Sequence, residues 1–322
     1  LRKTDQDVIN RKLTIANDDR AAPMDDGNVS PDHVQPFMLE SSQLRGRIVR
    51  LPDVTDAIIT AHGYPQPIAK LLAEALCLTT LLAGMLKFDG VFTLQAKGRA
   101  MVKTLVCDMT NDGTLRGYVG YDADALEILG DPDISFQKLT GGGYLAFTVD
   151  QSAATDRYQG IVPLDGDSLT DCVLHYFQQS EQITTGFVSF VDQDAKGKWT
   201  GAAMMIQQLA KEGGSSERTE PEMDEEHWRR AMMLMQTAKQ TEMLDAALPL
   251  NTLLYRLFHE EGVRVFDPIA IQKGCRCSLD KIRHVIDHLP EEEKQELAIN
   301  GKISVTCEFC NTTYDLAVDK SS

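Results

Sequence analysis

Cys275-Arg-Cys277 and, 29 residues further on, Cys307-Glu-Phe-Cys310 gather four of the seven cysteines into the C-terminal tail of this 322-residue chain. The thiolate is the form of cysteine that binds metal. Zn²⁺ takes four such ligands tetrahedrally at about 2.3 Å to sulfur, and two close cysteine pairs separated by a small loop-and-helix module supply them. The spacing therefore predicts one zinc site made of Cys275, Cys277, Cys307 and Cys310. Three other readings compete with it. Unrelated buried thiols rarely cluster in this way. Permanent disulfides belong to exported proteins. A site of Cys275, Cys277, His284 and His288 would use two histidines on one helical face, four residues apart, but leaves Cys307 and Cys310 without a role. Cys77, Cys107 and Cys172 stand singly in apolar surroundings, as small core residues do.

Outward from the cysteines, residues 269–322 form a module too small to fold on a core alone. Ser278 to Leu289 reads as an amphipathic helix and Glu291 to Leu297 as a second, short one. Lys302 to Thr306 and Thr313 to Val318 read as a hairpin around Cys307–Cys310, with Ile303, Val305, Tyr314 and Leu316 at its apolar positions. Upstream, 213–268 reads as a linker. It opens on Gly213-Gly-Ser-Ser and continues into a methionine- and leucine-rich stretch. Methionine is flexible and polarizable, and is over-used on surfaces that bind many partners. Trp228, Met232, Met235, Leu253, Leu254, Leu257 and Phe258 are the candidates for such contacts. The same pattern suits amphipathic helices packed on the preceding domain. Both hold if the stretch is packed in one state and released in another.

Residues 36–212 read as an α+β domain. Leu44 to Leu51 suggests a strand and Asp53 to His62 a short helix. From Pro67 to about Lys87 apolar residues recur at i, i+3 and i+4, and the second half is apolar nearly all round, as in a central buried helix. The period then changes to two: Val91–Lys97, Met101–Met109 and Leu115–Tyr121 are strands, with Asn111-Asp-Gly113 as a hairpin turn. Tyr144–Asp150, Tyr158–Val162 and Ile183–Val191 are further strands. A helix capped at Asp167 or Ser168 runs to about Gln182, and Gly201 to Leu209 is a mixed apolar segment. Residues 1–35 read as a disordered extension.

Net charge of −16 disfavours binding nucleic acid by phosphate neutralisation, and disfavours an anionic membrane surface. Ala75 to Leu86, the nearest approach to a membrane span, is short of the ~20 residues needed. No secretory signal is evident in the polar opening, so the expected location is the cytoplasm. Gly141-Gly-Gly-Tyr-Leu-Ala146 imitates a dinucleotide fingerprint but precedes a strand instead of following one. P-loop, nucleophile-elbow and zincin motifs are absent from the sequence.

A zinc-bound thiolate cluster folds a small module and keeps its sulfurs oxidisable. Oxidation of one thiolate lets a neighbouring thiol close a disulfide, the metal departs, and a module that owed its fold to the metal unfolds. Apolar surface exposed in this way binds other proteins. The chain also resembles the redox-regulated heat-shock chaperonin family, the 33 kDa chaperonins, from about Phe37 to Val318. The resemblance is carried by Tyr64-Pro-Gln-Pro-Ile-Ala-Lys-Leu-Leu-Ala-Glu-Ala-Leu76, Leu86-Lys-Phe-Asp-Gly90, Arg157-Tyr-Gln-Gly-Ile-Val162, Tyr176-Phe-Gln-Gln-Ser-Glu-Gln182, and the two cysteine motifs. It implies an ATP-independent holdase and no enzymatic activity. It implies one Zn²⁺ per reduced chain, Cys275–Cys277 and Cys307–Cys310 disulfides on oxidation, unfolding proteins as clients, and a homodimer when active. A constitutive zinc-ribbon scaffold or nucleic-acid-binding protein, and a thiol–disulfide oxidoreductase using Cys307 and Cys310, are the competing functions.

Overall fold

The structure is a computed structural model and describes residues 29–86, 88–151, 158–181, 183–208 and 221–317. Most of the expected N-terminal extension and the Gly/Ser-rich opening of the linker lie outside these residues.

Two sheets enclose one helix. The first sheet contains β1 (His33–Leu39), β2 (Leu44–Leu51), β8 (Thr185–Gln193), β9 (Trp199–Gln208) and β10 (Val263–Val265), in the order β10-β1-β2-β9-β8. β11 (Ile269–Ala270) pairs with the other end of β1. The second contains β3 (Gly90–Gly98), β4 (Val102–Thr110), β5 (Thr114–Tyr121), β6 (Gly143–Gln151), β7 (Tyr158–Pro163) and β12 (Gln272–Lys273), in the order β12-β5-β4-β3-β6-β7. Every pairing within these two sheets is antiparallel except β12 with β5.

After α1 (Pro52–His62), α2 (Gln66–Ala83) runs between the sheets, against β2, β8 and β9 on one side and β3, β4 and β5 on the other. Proline in its first turn fits because an amide N–H there has no helical partner to lose. Every residue from Ala75 to Ala83 is buried. The hydroxyls of Thr79 and Thr80 donate back to the carbonyls of Ala75 and Leu76 (2.7 and 2.8 Å), so their burial leaves no polar group unsatisfied. By length and composition this helix could cross a membrane, yet 78% of it is buried inside the protein. It is the central helix the periodicity predicts.

The first sheet is covered on both faces. Val49, Leu51, Ala203 and Met205 face α2. Phe37, Leu39, Leu44, Ile48, Ala202, Met204 and Ile206 face outward, beneath the methionine-rich segment. That segment folds as α6 (Pro221–Gln236), α7 (Gln240–Met243) and α8 (Leu250–Phe258). Phe37 stacks on Phe258 with ring centroids 5.9 Å apart. It also lies across Gly46, its cross-strand partner, where a Cβ would fall 2.1 Å from the ring. Burial on both faces explains why Gly201 to Leu209 shows no alternation: β9 is buried at every position but its last.

Several expectations need correction. β1 begins at His33, inside the stretch read as an extension, and Asp32 before it is buried and accepts the N–H groups of Asp53 and Val54 (3.0 Å each). α2 ends at Ala83, with Gly84 following, and does not reach Lys87. α5 (Leu169–Tyr176), capped by Ser168, gives way to one π-helical turn over Phe177–Glu181 instead of continuing as α-helix. Two short helices, α3 (Ala123–Leu129) and α4 (Phe136–Thr140), were not foreseen. Each is opened by a side-chain cap, Asp122 and Ser135, and is too short to show a period.

Candidate metal centre and its docking

Cys275 and Cys277 follow β12 directly, ahead of α9 (Leu279–Asp287), whose Ser278 cap accepts the Lys281 N–H at 3.3 Å. After α10 (Glu291–Leu297), β13 (Lys302–Thr306) and β14 (Thr313–Ala317) pair antiparallel, and the turn between them carries Cys307 and Cys310. The Cys307 N–H donates to Thr312 O (2.9 Å) and the Asn311 N–H to Cys307 O (2.8 Å), with Asn311 left-handed at φ 55°. This tight turn points both sulfurs inward.

The four Sγ atoms lie within 4.8 Å of one another. Cys277 and Cys310 are 3.4 Å apart, and Cys275 and Cys307 3.7 Å. Sulfurs about 2.3 Å from a shared tetrahedral ion are about 3.8 Å apart, so the cluster has the size of a four-thiolate metal site. All four residues are half-buried. His284 and His288 meet edge-on with ring centroids 4.4 Å apart, His288 Nδ1 lies 2.6 Å from His284 O, and neither joins the sulfurs. From Cys275 onward the buried apolar side chains, among the described residues, are Ile303 and Leu316, a core of two; Ile271 ahead of them is buried in the core of the body.

The thiols cannot all ionise in such proximity. Burial, with Cys275, Cys310 and Cys307 alongside, pushes Cys277 up to about 12. Burial likewise raises Cys307. At Cys310 burial also opposes ionisation, but hydrogen bonds from the Thr312 hydroxyl and N–H and from the neighbouring cysteines outweigh it and bring the thiol down to about 6. Tyr314 Oη, 3.2 Å from Cys277 Sγ, is pushed up to about 12 by that hydrogen bond. A divalent cation would balance four thiolates at this spacing, and Cys275, Cys277, Cys307 and Cys310 are the residues that would hold it.

The residues between the cysteines dock the module on the body. Arg276 forms an ion pair with Asp108 of β4. Asp108 also accepts Arg116 of β5 (2.6 and 3.0 Å) and the Thr93 hydroxyl (2.7 Å). The Arg116 guanidinium lies 3.6 Å over the Phe309 ring, which meets Tyr118 edge-on at 4.8 Å. His62 Nε2 is 2.9 Å from Glu308 O, and Asn311 Nδ2 donates to Ala61 O (2.8 Å) at the end of α1. Sequence reasoning missed this surface. Its one local signal was a large or charged residue inside each cysteine pair.

The seven client-contact candidates lie together over the outer face of the first sheet. Met235, Leu253, Leu254, Leu257 and Phe258 are buried there, and Trp228 and Met232 are partly buried against them. Polar anchors hold the segment. Arg50 of β2, itself buried, donates to the carbonyls of Met243 (2.6 Å), Leu248 (2.6 Å) and Glu242 (3.1 Å), and burial draws it down to about 10. Buried Glu261 takes Arg230 of α6 (3.1 Å) and the Ser41 hydroxyl (2.9 Å). The methionine-rich segment thus rests on the first sheet, whereas the cysteine module rests on α1 and the second.

A family model described as Hsp33 protein matches residues 32–317. The 33 kDa chaperonin of Caulobacter vibrioides is 37% identical over 297 residues, covering 90% of this chain and 96% of that one. That of Pseudomonas fluorescens is 34% identical over 287 residues, covering 88% and 90%. The crystal structure of the 33 kDa chaperonin from Thermotoga maritima superposes with a TM-score of 0.73 at 22% identity, over 89% of this chain and 95% of that one, and so shares the fold.

Proposed function

Because this chain belongs to the Hsp33 protein family, we propose that it is a holdase whose binding surface stays covered while its four cysteines are reduced and metal-bound. It is a chaperone and not an enzyme, and its C-terminal four-cysteine cluster is consistent with a redox-regulated zinc site. One observation carries the reading: four sulfurs drawn from two distant motifs converge within 4.8 Å in a module with almost no core of its own. Cys275, Cys277, Cys307 and Cys310 hold one Zn²⁺ in the reduced state. Bound zinc supplies the cross-link the module otherwise lacks, and its binding free energy of ~10–16 kcal/mol counts as folding free energy.

Oxidation begins at an accessible thiolate. Peroxide accepts its electron pair, one O–O bond breaks, and the cysteine becomes a sulfenic acid. A neighbouring thiol displaces water from it and closes the S–S bond. Each disulfide therefore consumes one peroxide and releases two waters. Cys275 with Cys277 and Cys307 with Cys310 form the two bonds, which leaves no thiolate for the metal. Methionine-rich helices then leave the first sheet, and both Met235 and Phe258 on one side and Phe37 and Ile48 on the other meet solvent. Arg50 and Glu261 suit reversible release, because water can replace their partners when the helices lift. In this reading residues 36–212, with the start of β1 at His33 added, are the chaperone body, 213–268 the metastable linker and 269–322 the redox switch. Clients are unfolding proteins, no nucleotide is used, the active form is a homodimer, and the compartment is the reducing cytoplasm.

Zinc release and light scattering from a thermally unfolding client, followed together before and after peroxide, test this. Suppression of scattering should arise only as zinc leaves. Zinc that stays bound through oxidation would favour a constitutive scaffold, and catalytic turnover of a small disulfide an oxidoreductase.

A further inference from the structure

The cysteine module and the methionine-rich helices grip different parts of the body, so loss of the metal must reach the helices along some path. We propose that residues Val263 to Gly274 are that path: an edge strap that peels from its Cys275 end back toward α8. The inference rests on the functional reading above and specifies its regulation.

The strap is stitched to both sheets by short ladders. β10 meets β1 over three residue pairs, β11 meets β1 over two, and β12 meets β5 over two. Between the ladders the Phe266 N–H donates to Pro36 O (3.0 Å) and the Ile271 N–H to Asp32 O (2.9 Å). The last bond, from the Gly274 N–H to Leu115 O (3.1 Å), is one residue from Cys275. Val265 and Ile271 are its fully buried apolar side chains. At the other end the strap begins beside Glu261, which holds Arg230 of α6 and Ser41. Peeling that arrives there undoes an anchor of the methionine-rich segment.

Two glycines permit this close approach. Gly113, at φ +82°, lies under Ala270, whose carbonyl oxygen would be 2.4 Å from a Cβ. A Cβ on Gly274 would stand 2.2 Å from Thr114 Cγ2, while the next Thr114 atoms are at 3.6 and 3.9 Å. Neither glycine needs to be so tightly packed unless the strap must seat flush against β5.

Hydrogen exchange on the intact, reduced, zinc-loaded chain after adding peroxide tests the order. Amides of Gly274 and Ile271 should lose protection first, then Phe266, then α8. Opening of α8 while Ile271 and Phe266 stay protected would overturn the strap. Failure of α8 to open at all, despite zinc loss, would instead overturn the functional reading. In a second arm, Gly274→Ala should speed exchange in α8 about tenfold with zinc still bound, as loss of one or two hydrogen bonds implies. Adding Thr114→Ser, which removes the clashing methyl, should restore protection. Unchanged α8 exchange in zinc-loaded Gly274→Ala would also overturn the proposal. Should that variant not fold, the order of opening in the unaltered chain decides.

Discussion

Arg276, the single residue between the first two cysteines, is ion-paired to Asp108 on the body, and Asp108 is shared with Arg116. The side chain that would be displaced by any rearrangement of Cys275 and Cys277 is therefore the one that docks the module. Asp108→Asn would leave two guanidinium groups side by side without their carboxylate. Docking should weaken by ~1–3 kcal/mol, the lower range reflecting the partial exposure of Arg276. Zinc content should be unchanged, but zinc release at limiting peroxide should be faster than in the unaltered chain. Equal release rates would show that docking does not shield the sulfurs.

Arg50 supplies the strongest polar link between the body and the methionine-rich segment, through three carbonyl acceptors. Arg50→Met keeps much of the packing and removes all three bonds. The segment should lose ~2–4 kcal/mol of its hold, since charge-assisted bonds are each worth more than neutral ones and the freed carbonyls regain only some water. Limited proteolysis of the zinc-loaded variant should cut within 240–258 far sooner, and clients should be held without oxidant. Resistance equal to that of the unaltered chain would contradict this.

The raised thiols set a pH dependence for zinc binding. In the metal-free fold Cys277 is pushed up to about 12 and Cys307 is raised, so both are protonated at neutral pH, while Cys310 at about 6 is already ionised. Zinc must displace at least those two protons. Affinity should therefore rise with pH, by at least two decades per unit near neutrality, and steepen below about pH 6 as Cys310 also protonates. Competition titrations with a chelator across this range measure the slope; a flat profile would be incompatible with thiolate ligation.

Cys77, Cys107 and Cys172 are fully buried, and burial raises each thiol, Cys172 to about 11. Alkylation of the native, reduced, metal-stripped chain should modify the four C-terminal cysteines and spare these three. Mass mapping of the labelled peptides checks it, and modification of Cys107 under native conditions would show that the two-sheet core opens.

Much of the site was legible because the metal chemistry is local: spacing alone selects Cys275, Cys277, Cys307 and Cys310. Central helix α2 was legible for a similar reason, as nine consecutive buried positions leave an uninterrupted apolar run. What escaped was built from long-range contact. β10, β11 and β12 are two or three residues each and have no period to detect, since their identity as strands comes from the edges of β1 and β5. β1 was lost in part because Asp32, His33 and Pro36 mimic the polar composition of an unfolded tail. Docking of Arg276 and Phe309 depends on Asp108 and Tyr118, which nothing in the local sequence joins to them. The methionine-rich segment was read both as packed and as releasable. Its packed half is visible against the first sheet.

Fluorescence of a hydrophobic dye, recorded alongside zinc release as the reduced chain is oxidised with mild heating, addresses the central claim most directly. Dye uptake should climb in step with the departing zinc and fall back when thiols and metal are restored. A metal-free, oxidised chain that takes up no more dye than the resting one would mean that the cysteine cluster does not control the covered surface.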